Sequence, residues 1–463
     1  MKHSDLPVFI QEKKDGTLRV IPNRLASYAR DFYKLQVVRS TQHSPARLFA
    51  WYPEGVYKEV CGEVLRGMLG FLISTSCPSL VSTPVLQETE RLLRNCLDDI
   101  PEDQLNACEN FINLKNGMLF VSSGLINFMP HDETYLSTIQ FPVSWEEELK
   151  PTPNMDAFLA SLSNGNREVL KVLWEVIGVV CSNLPVSMFK QCPVLVGKGN
   201  TGKSVLFNLL TRMVGQNNCF ELDLGAMEKR FGSGYLYQKR LCGCPDMSYQ
   251  NVGELKLFKQ ITGGDSIFAE GKGSAGFTFH YRGMLLYCCN RMPRFGGDQG
   301  KWVYNRFLPI PCDREVPPEE QDKNLLIKLL EEKDAIFRKS MIALQRVMEN
   351  NFAFDEPEVS TRMRSQYRLS NAPGMAFRED CLGKTGEEGV AHRDFNITQI
   401  YRVYKRWCGD QGIEYQSFSV FKEELAEALG VVPENLTERK SNGKCIPGYT
   451  LKEDAVQIYM RER

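Results

Sequence analysis

The stretch VLVGKGNTGKSVLFNLL, residues 194–210, joins an apolar run to a loop carrying three glycines and then to a Lys-Ser pair that opens a helical pattern. Residues 197–204 fit G-x-x-x-x-G-K-S. In such a loop the glycines let backbone N–H groups turn inward on phosphate oxygens, the lysine reaches the β and γ phosphates, and the hydroxyl ligates Mg²⁺. The candidate ATP-binding residues are Gly197, Lys198, Gly199, Asn200, Thr201, Gly202, Lys203, Ser204 and Val205, with Ser204 also a metal ligand. A strand before the loop and a helix after it are the context this motif requires, and both are predicted.

Outward from the loop, strand candidates at 194–196, 219–222, 240–244, 284–289 and 306–310 alternate with helical stretches or a hairpin. That alternation predicts α/β architecture with a mainly parallel sheet. Upstream, residues 1–150 mix short strand and helix patterns, with Asn116-Gly117 as a turn between strands, and read as an α+β domain. A proline-bearing linker, ELKPTPNMD (148–156), leads to an apolar helix at 167–184. Residues 151–345 form the expected nucleotide-binding core, and EEQDKNLLIKLLEEKDAIFRKSMIALQRVMEN (319–350), running across its end, reads as one long amphipathic helix. Breaks at SNAPGM (370–375) and GKTGEEGVAH (383–392) make 346–389 a helical lid and linker. From 390 to 463, helices at 397–408 and 418–429 and a glycine-bearing basic hairpin (437–451) suggest a winged helix-turn-helix.

Bulk composition narrows the class. With 463 residues, 43% apolar and 24% charged, the chain is of ordinary globular composition and too long for one core. No 18-residue uncharged apolar stretch and no signal-peptide pattern occurs, so no membrane association is expected and the host-cell cytoplasm is the expected location. The fifteen cysteines include no C-x-x-C and read as reduced core thiols. A net charge of −1 excludes a uniformly basic nucleic-acid binder; any grip on phosphate backbones must come from local patches or from symmetry.

A phosphate loop alone is compatible with a GTPase, a small-molecule kinase or an ATP-driven motor. The Asn-Lys-x-Asp guanine reader of GTPases is absent, and a small kinase has no need of long flanking domains. Downstream, KRLCGCPDMS (239–248) puts Asp246 at the end of a strand candidate, where a carboxylate can hold Mg²⁺ or orient water. Then come a helix ending at Gly-Gly-Asp, a hairpin with Lys272 near its tip, a buried strand ending at Asn290, and Arg306 at the start of another strand candidate.

This order of motifs resembles the superfamily 3 helicases, in the branch of phage and plasmid primase-helicases and the poxvirus primase-helicase. GKGNTGKS looks like their Walker A, FKQITGGD like their B-prime signature, YCCNRMPRF like their sensor segment and NRFLPIP like their arginine-finger segment; KNGMLFVSSGLINFMPH and IYRVYKRWCGDQG with FKEELAEALG resemble the flanking domains. The resemblance covers roughly residues 45–455. It implies an AAA+ P-loop ATPase core between an α+β N-terminal domain and a C-terminal winged-helix domain. It also implies a ring, hexameric by expectation, moving 3′ to 5′ on one DNA strand with ATP and Mg²⁺.

Carried residue by residue, Lys203 and Ser204 bind phosphate and metal, Asp246 is the Walker B acid and metal ligand, and Asn290 polarises water. Arg306 is a finger supplied to the neighbouring subunit, and Lys272 contacts DNA. Arg439, Lys440 and Lys444 are the candidate wing residues on DNA, while Lys259 and Asp265 either brace the B-prime helix or touch ligand. Pro245 stands where many relatives carry a second acid, which leaves the general base open between Asp246 and Glu254, expected in the next helix.

The expected function is an ATP-dependent helicase acting on single-stranded and forked DNA in replication initiation of a phage, plasmid or other mobile element. Residues 1–150 show no carboxylate set for polymerisation, so priming falls to a separate primase or polymerase. Two alternatives stand beside it: an ATP-switched origin-binding or loading factor that does not unwind DNA, and a small-molecule kinase.

Overall fold

The computed structural model describes residues 6–39, 46–96, 99–248, 251–270, 276–295 and 301–460. The chain is mixed α/β, and its centre is a five-stranded, all-parallel sheet. We label its strands β1 (Cys192–Val196), β2 (Cys219–Glu221), β3 (Leu241–Met247), β4 (Met284–Cys289) and β5 (Phe307–Pro311). They lie side by side in the order β2-β3-β4-β1-β5. The strands run close to their predicted positions, and β1 and β4 are buried throughout, as parallel strands covered on both faces must be.

Helices Arg167–Val180 and Lys203–Val214 bury most of their residues in the core that includes this sheet. Gly178 allows the close approach of Lys333–Glu349 to the first of them: a Cβ there would stand 2.4 Å from the Ser340 carbonyl. The cysteines of RLCGCP and LLYCCN are buried free thiols, and burial pushes Cys242 and Cys289 up to about 12.

Core boundaries differ from those expected. Asn116-Gly117 does turn between strands Phe111–Leu114 and Gly117–Val121, but Ile112, Leu119 and Val143 join the core of the parallel sheet rather than that of the N-terminal body. The reason is that a three-stranded meander has one apolar face to cover, and the nearest apolar surface belongs to the central core. The N-terminal body proper is a four-stranded sheet with helices Pro22–Tyr33, Gly62–Ser74 and Thr83–Cys96.

At the other end, the last core already includes Ala376, Phe377 and Leu382, and Leu382–Lys384 pairs with Tyr449–Leu451. The expected start at 390 therefore falls inside a packed unit. Two helices, Ile397–Asp410 and Phe418–Leu429, precede the hairpin Glu438–Lys440/Gly443–Cys445.

The predicted single helix over 319–350 is divided. A 3₁₀ turn at Pro318–Glu320 is followed by helices Leu325–Glu331 and Lys333–Glu349, with the break at Glu332. Its carboxylate is engaged elsewhere, accepting bonds from the backbone N–H groups of Asn154 and Met155 (both 3.0 Å) at the start of helix Pro153–Leu162. Those otherwise unpaired helix-start donors hold the chain at Glu332.

Packing makes two of these positions testable. Gly243 in β3 has φ +148°, and a Cβ there would lie 1.7 Å from the Leu286 carbonyl of β4. Gly243→Ala should therefore destabilise the fold by ~3 kcal/mol or more, as read by urea unfolding. Glu175, 1% exposed, accepts a bond from the Asp355 backbone N–H, and desolvation raises its pKa from 4.5 to about 7. A carboxyl raised on folding contributes stability that is full below pH 4.5 and is lost as pH rises through about 7. Glu175→Gln should flatten that decline in melting temperature measured between pH 4.5 and 8.

Candidate functional site

In a parallel sheet the loops leaving the C-terminal ends of neighbouring strands meet at one edge. Here that edge gathers the loop after β1, the end of β3, the residue after β4 and the segment after β5. Gly197 passes so close to β5 that a Cβ would stand 2.0 Å from the Cys312 carbonyl. Asn200 takes a left-handed conformation (φ 58°), and its carbonyl accepts a bond from Val316 N–H at 2.9 Å. Gly202 (φ 98°) caps helix Lys203–Val214, with the Phe158 ring 2.7 Å from where a Cβ would sit. These three positions explain why only small or left-handed-tolerant residues serve there.

Lys203 is the first residue of that helix and only 6% exposed. Its ammonium donates to the Gly197 carbonyl (2.8 Å), the Lys198 carbonyl (2.5 Å) and Thr201 Oγ1 (3.3 Å), and comes within 3.5 Å of Asn290 Oδ1. All of these acceptors are neutral. Among the described residues no carboxylate pairs with it.

Ser204 Oγ donates to the Pro245 carbonyl at 3.0 Å. The β3–β4 register shifts between Cys244 and Met247, and Asp246, inside that irregularity, is exposed. Proline supplies no N–H to the ladder, so Pro245 favours the interruption that turns Asp246 out. The cleft so formed has a volume of about 640 Å³, and Lys203, Ser204, Asp246 and Asn290 all line it. It is of a size that holds a nucleotide-sized ligand.

Several predicted residues lie elsewhere. Arg306 precedes β5, and its carbonyl accepts the Cys192 N–H at the beginning of β1. Five residues of strand separate it from the loop, roughly 17–20 Å at the usual rise. Its Nη1 donates to the Lys259 carbonyl (2.7 Å) and Thr262 Oγ1 (2.6 Å) at the end of helix Lys256–Gly263; desolvation lowers its pKa, against the opposing charge of Asp265. Lys259 and Arg306 both lie over the Trp302 ring.

Glu254 is exposed and stands ahead of the helix that begins at Lys256, not within it, and does not line the cleft. The hairpin expected to carry Lys272 is present as Ser266–Ala269/Phe277–His280, and Lys272 itself lies outside the described residues. On the C-terminal hairpin Arg439 and Lys444 face each other across the strands. Lys440 is instead engaged within the chain, 2.9 Å from Asp394 and 3.4 Å from Glu438.

The cleft also holds a cation that is not among the residues predicted from sequence. Arg314, three residues beyond β5, donates to Ser161 Oγ (2.7 Å) and Glu320 (2.9 Å) and lines the same cleft. The available signal was positional: if β5 lies beside β1, the segments leaving the two strands meet at one edge.

Lys203→Ala should remove the one buried cation found among the described residues of the cleft and weaken binding of inorganic tripolyphosphate by about tenfold or more, in titration calorimetry at unchanged melting temperature.

Residues 195–306 match the model of a family of unknown function, DUF5906. No curated protein matches the chain. Among solved structures, the A-form apo structure of the NrS-1 C-terminal region aligns at TM-score 0.48 and 10% identity, over 93% of this chain and 100% of that one. The apo structure of NrS-1 residues 305–718 aligns at TM-score 0.46 and 12% identity, over 94% and 99%. Likeness at this level leaves the function to be argued from the site.

Proposed function

We propose that the chain is an ATP hydrolase of the AAA+ P-loop type whose turnover drives DNA strand separation, as a ring-forming 3′ to 5′ helicase in the replication of a phage, plasmid or other mobile element. The observation that carries the nucleotide part is the buried Lys203 ammonium, met only by neutral acceptors at the start of a 12-residue helix. The ammonium's donors are met but its charge is not balanced, and the positive end of a helix lies beside it, so an anion is favoured there and a polyphosphate fits both.

The donor set also suits Mg²⁺. Asp246 presents a carboxylate with no hydrogen-bond or ion-pair partner among the described residues, and the Ser204 hydroxyl bonds to the carbonyl of the residue next to it. Asp246 and Ser204 would hold the ion, which would neutralise phosphate charge as the terminal phosphoryl leaves. Asn290, whose Oδ1 lies 3.5 Å from the Lys203 ammonium, would orient the attacking water. Arg314 would meet the nucleotide from the β5 side after leaving Glu320.

Arg306 supports the ring. It stands at the far edge of the sheet from its own loop, so an arginine acting on phosphate from there acts on a neighbour's. In a ring, a DNA-facing residue such as Lys272 recurs once per subunit, which gives a basic collar to a chain of net charge −1. The C-terminal helices and hairpin, read as a winged helix, would place the ring on duplex DNA through Arg439 and Lys444. Priming would come from a separate primase or polymerase, and the setting would be the host-cell cytoplasm.

Displacement of one strand from a forked duplex tests the helicase reading; ATP hydrolysis without displacement would replace it with a loading factor. The ring is tested by mixing two inactive variants. Lys203→Ala subunits have a dead site yet donate a good Arg306, whereas Arg306→Ala subunits bind ATP but leave the neighbour's site incomplete. A trans-acting arginine contributes about 10³ to 10⁵ in rate, so mixed rings should recover measurable ATPase. Mixed rings shown to form yet inactive at every ratio would mean either that Arg306 acts within its own subunit or that strict coordination around the ring masks isolated good sites; binding of a fluorescent ATP analogue to Arg306→Ala separates the two, since an arginine with a structural role would also weaken folding or nucleotide affinity.

A further inference from the structure

A second cavity, of about 380 Å³, opens at the other end of the sheet from the nucleotide cleft. It lies where the N-terminal body meets the starts of β3 and β4: Arg240 immediately precedes β3, and Arg282 stands just before β4. Strand β3 thus runs from this cavity to Asp246 in the cleft, a path of roughly 20 Å. Leu105 and Ile139 give the cavity an apolar wall, and the rings of Tyr237 and Phe279 stand edge-to-face at 5.3 Å within its lining.

The charges along this lining do not balance. Arg39 pairs with Asp99, and Glu102 pairs with Arg47, so these cancel locally. Among the described residues, the side chain of Lys239 donates only to the Asn217 carbonyl (2.6 Å), that of Arg240 only to the Ser182 carbonyl (2.8 Å), and Arg282 makes a long contact of 3.4 Å to the Asn106 carbonyl. None of the three has a carboxylate bonded to it among the described residues. Arg240 is 3% exposed, with Nε lacking any acceptor. Burial lowers its pKa to about 10, opposed by the charges of Tyr281 and of Glu109, an acid outside the lining. Asp103, exposed, is the one unpaired acid among the described residues of the lining. Three cations against one acid leave an excess of two positive charges. A phosphomonoester carries about −1.5 to −2 at neutral pH, and guanidinium groups suit its oxygens.

We infer that this cavity is a second anion site, distinct from the nucleotide cleft, which takes a phosphomonoester of about mononucleotide size with its ring against Tyr237 and Phe279. Arg282 and Lys239 would contact the phosphate directly. Arg240, behind them, would contribute field rather than contact. The same chemistry is available from a free nucleoside monophosphate and from the 5′-phosphate end of a nucleic-acid strand.

The test is photolabelling of the full chain with 8-azidoadenosine 5′-monophosphate, followed by peptide mapping. Label is expected on peptides spanning Tyr237–Arg240 or Phe279–Arg282, to persist in Lys203→Ala, and to fall about tenfold or more in the Lys239→Gln/Arg282→Gln double variant. Thr278→Glu, an exposed change in the cavity lining, should block labelling without touching either cation, which keeps the test decisive if the double variant folds poorly. Competition by adenosine monophosphate alone identifies the small-molecule source; competition by a 5′-phosphorylated oligonucleotide but not its 5′-hydroxyl form identifies the strand end. Label confined to phosphate-loop peptides, or insensitive to both sets of substitutions, overturns the site.

Discussion

The parallel pairing of β1 with β4 on one side and β5 on the other is the constraint on which the rest depends. Val194–Val196 lies beside Tyr287–Cys289, and Cys192–Val196 beside Phe307–Pro311. That register delivers the glycine-bearing 197–204 loop, Asn290 and the Cys312–Val316 segment to one edge. A slip of one residue in any of these strands would send its side chains to the opposite face and carry Gly197, Asn290 or Cys312 out of its place at that edge. The close passage of Gly197 over Cys312 then ties the loop to β5 by steric fit.

Lys203 illustrates what this edge does chemically. Taking an ammonium out of water costs several kcal/mol unless its three donors are met. Loop carbonyls and Thr201 meet them, but they supply no negative charge. The site is thereby held in a geometry that an incoming anion completes, without a carboxylate that would have to be displaced first. Preorganisation of this kind places the electrostatic cost in folding rather than in anion binding.

The opposite edge uses its cations differently. Arg306 caps the end of helix Lys256–Gly263, and Arg240 and Arg282 flank a cavity beneath the N-terminal body. Parallel strands make this separation possible, since all their starts share one edge and all their ends the other. Arg47, which reaches Tyr237 OH at 2.9 Å from within the N-terminal sheet, joins the two bodies next to that cavity. The N-terminal body and the strand starts are therefore in direct contact.

From the sequence alone, the loop, the five strands around it and the Asn116-Gly117 turn were legible, because each rests on near-neighbour chemistry: apolar runs, glycine conformations and turn residues. Lys203, Ser204, Asp246 and Asn290 were readable for the same reason, each lying at or just beyond the end of an apolar run or at a helix start. Tertiary structure alone decided the rest. Glu332 divides what reads as one helix because its carboxylate is taken by Asn154 and Met155, 178 and 177 residues away in sequence. Residues 111–143 join the central core, and Ala376–Leu382 the last one, because an apolar face packs against whatever apolar surface the folded chain brings near it. Arg314 enters the cleft, and Lys440 is drawn to Asp394, through pairings between distant segments that no local pattern encodes. Local residue chemistry determined which elements could form; the register of β1 between β4 and β5, and the burial it enforces, decided which of their side chains meet.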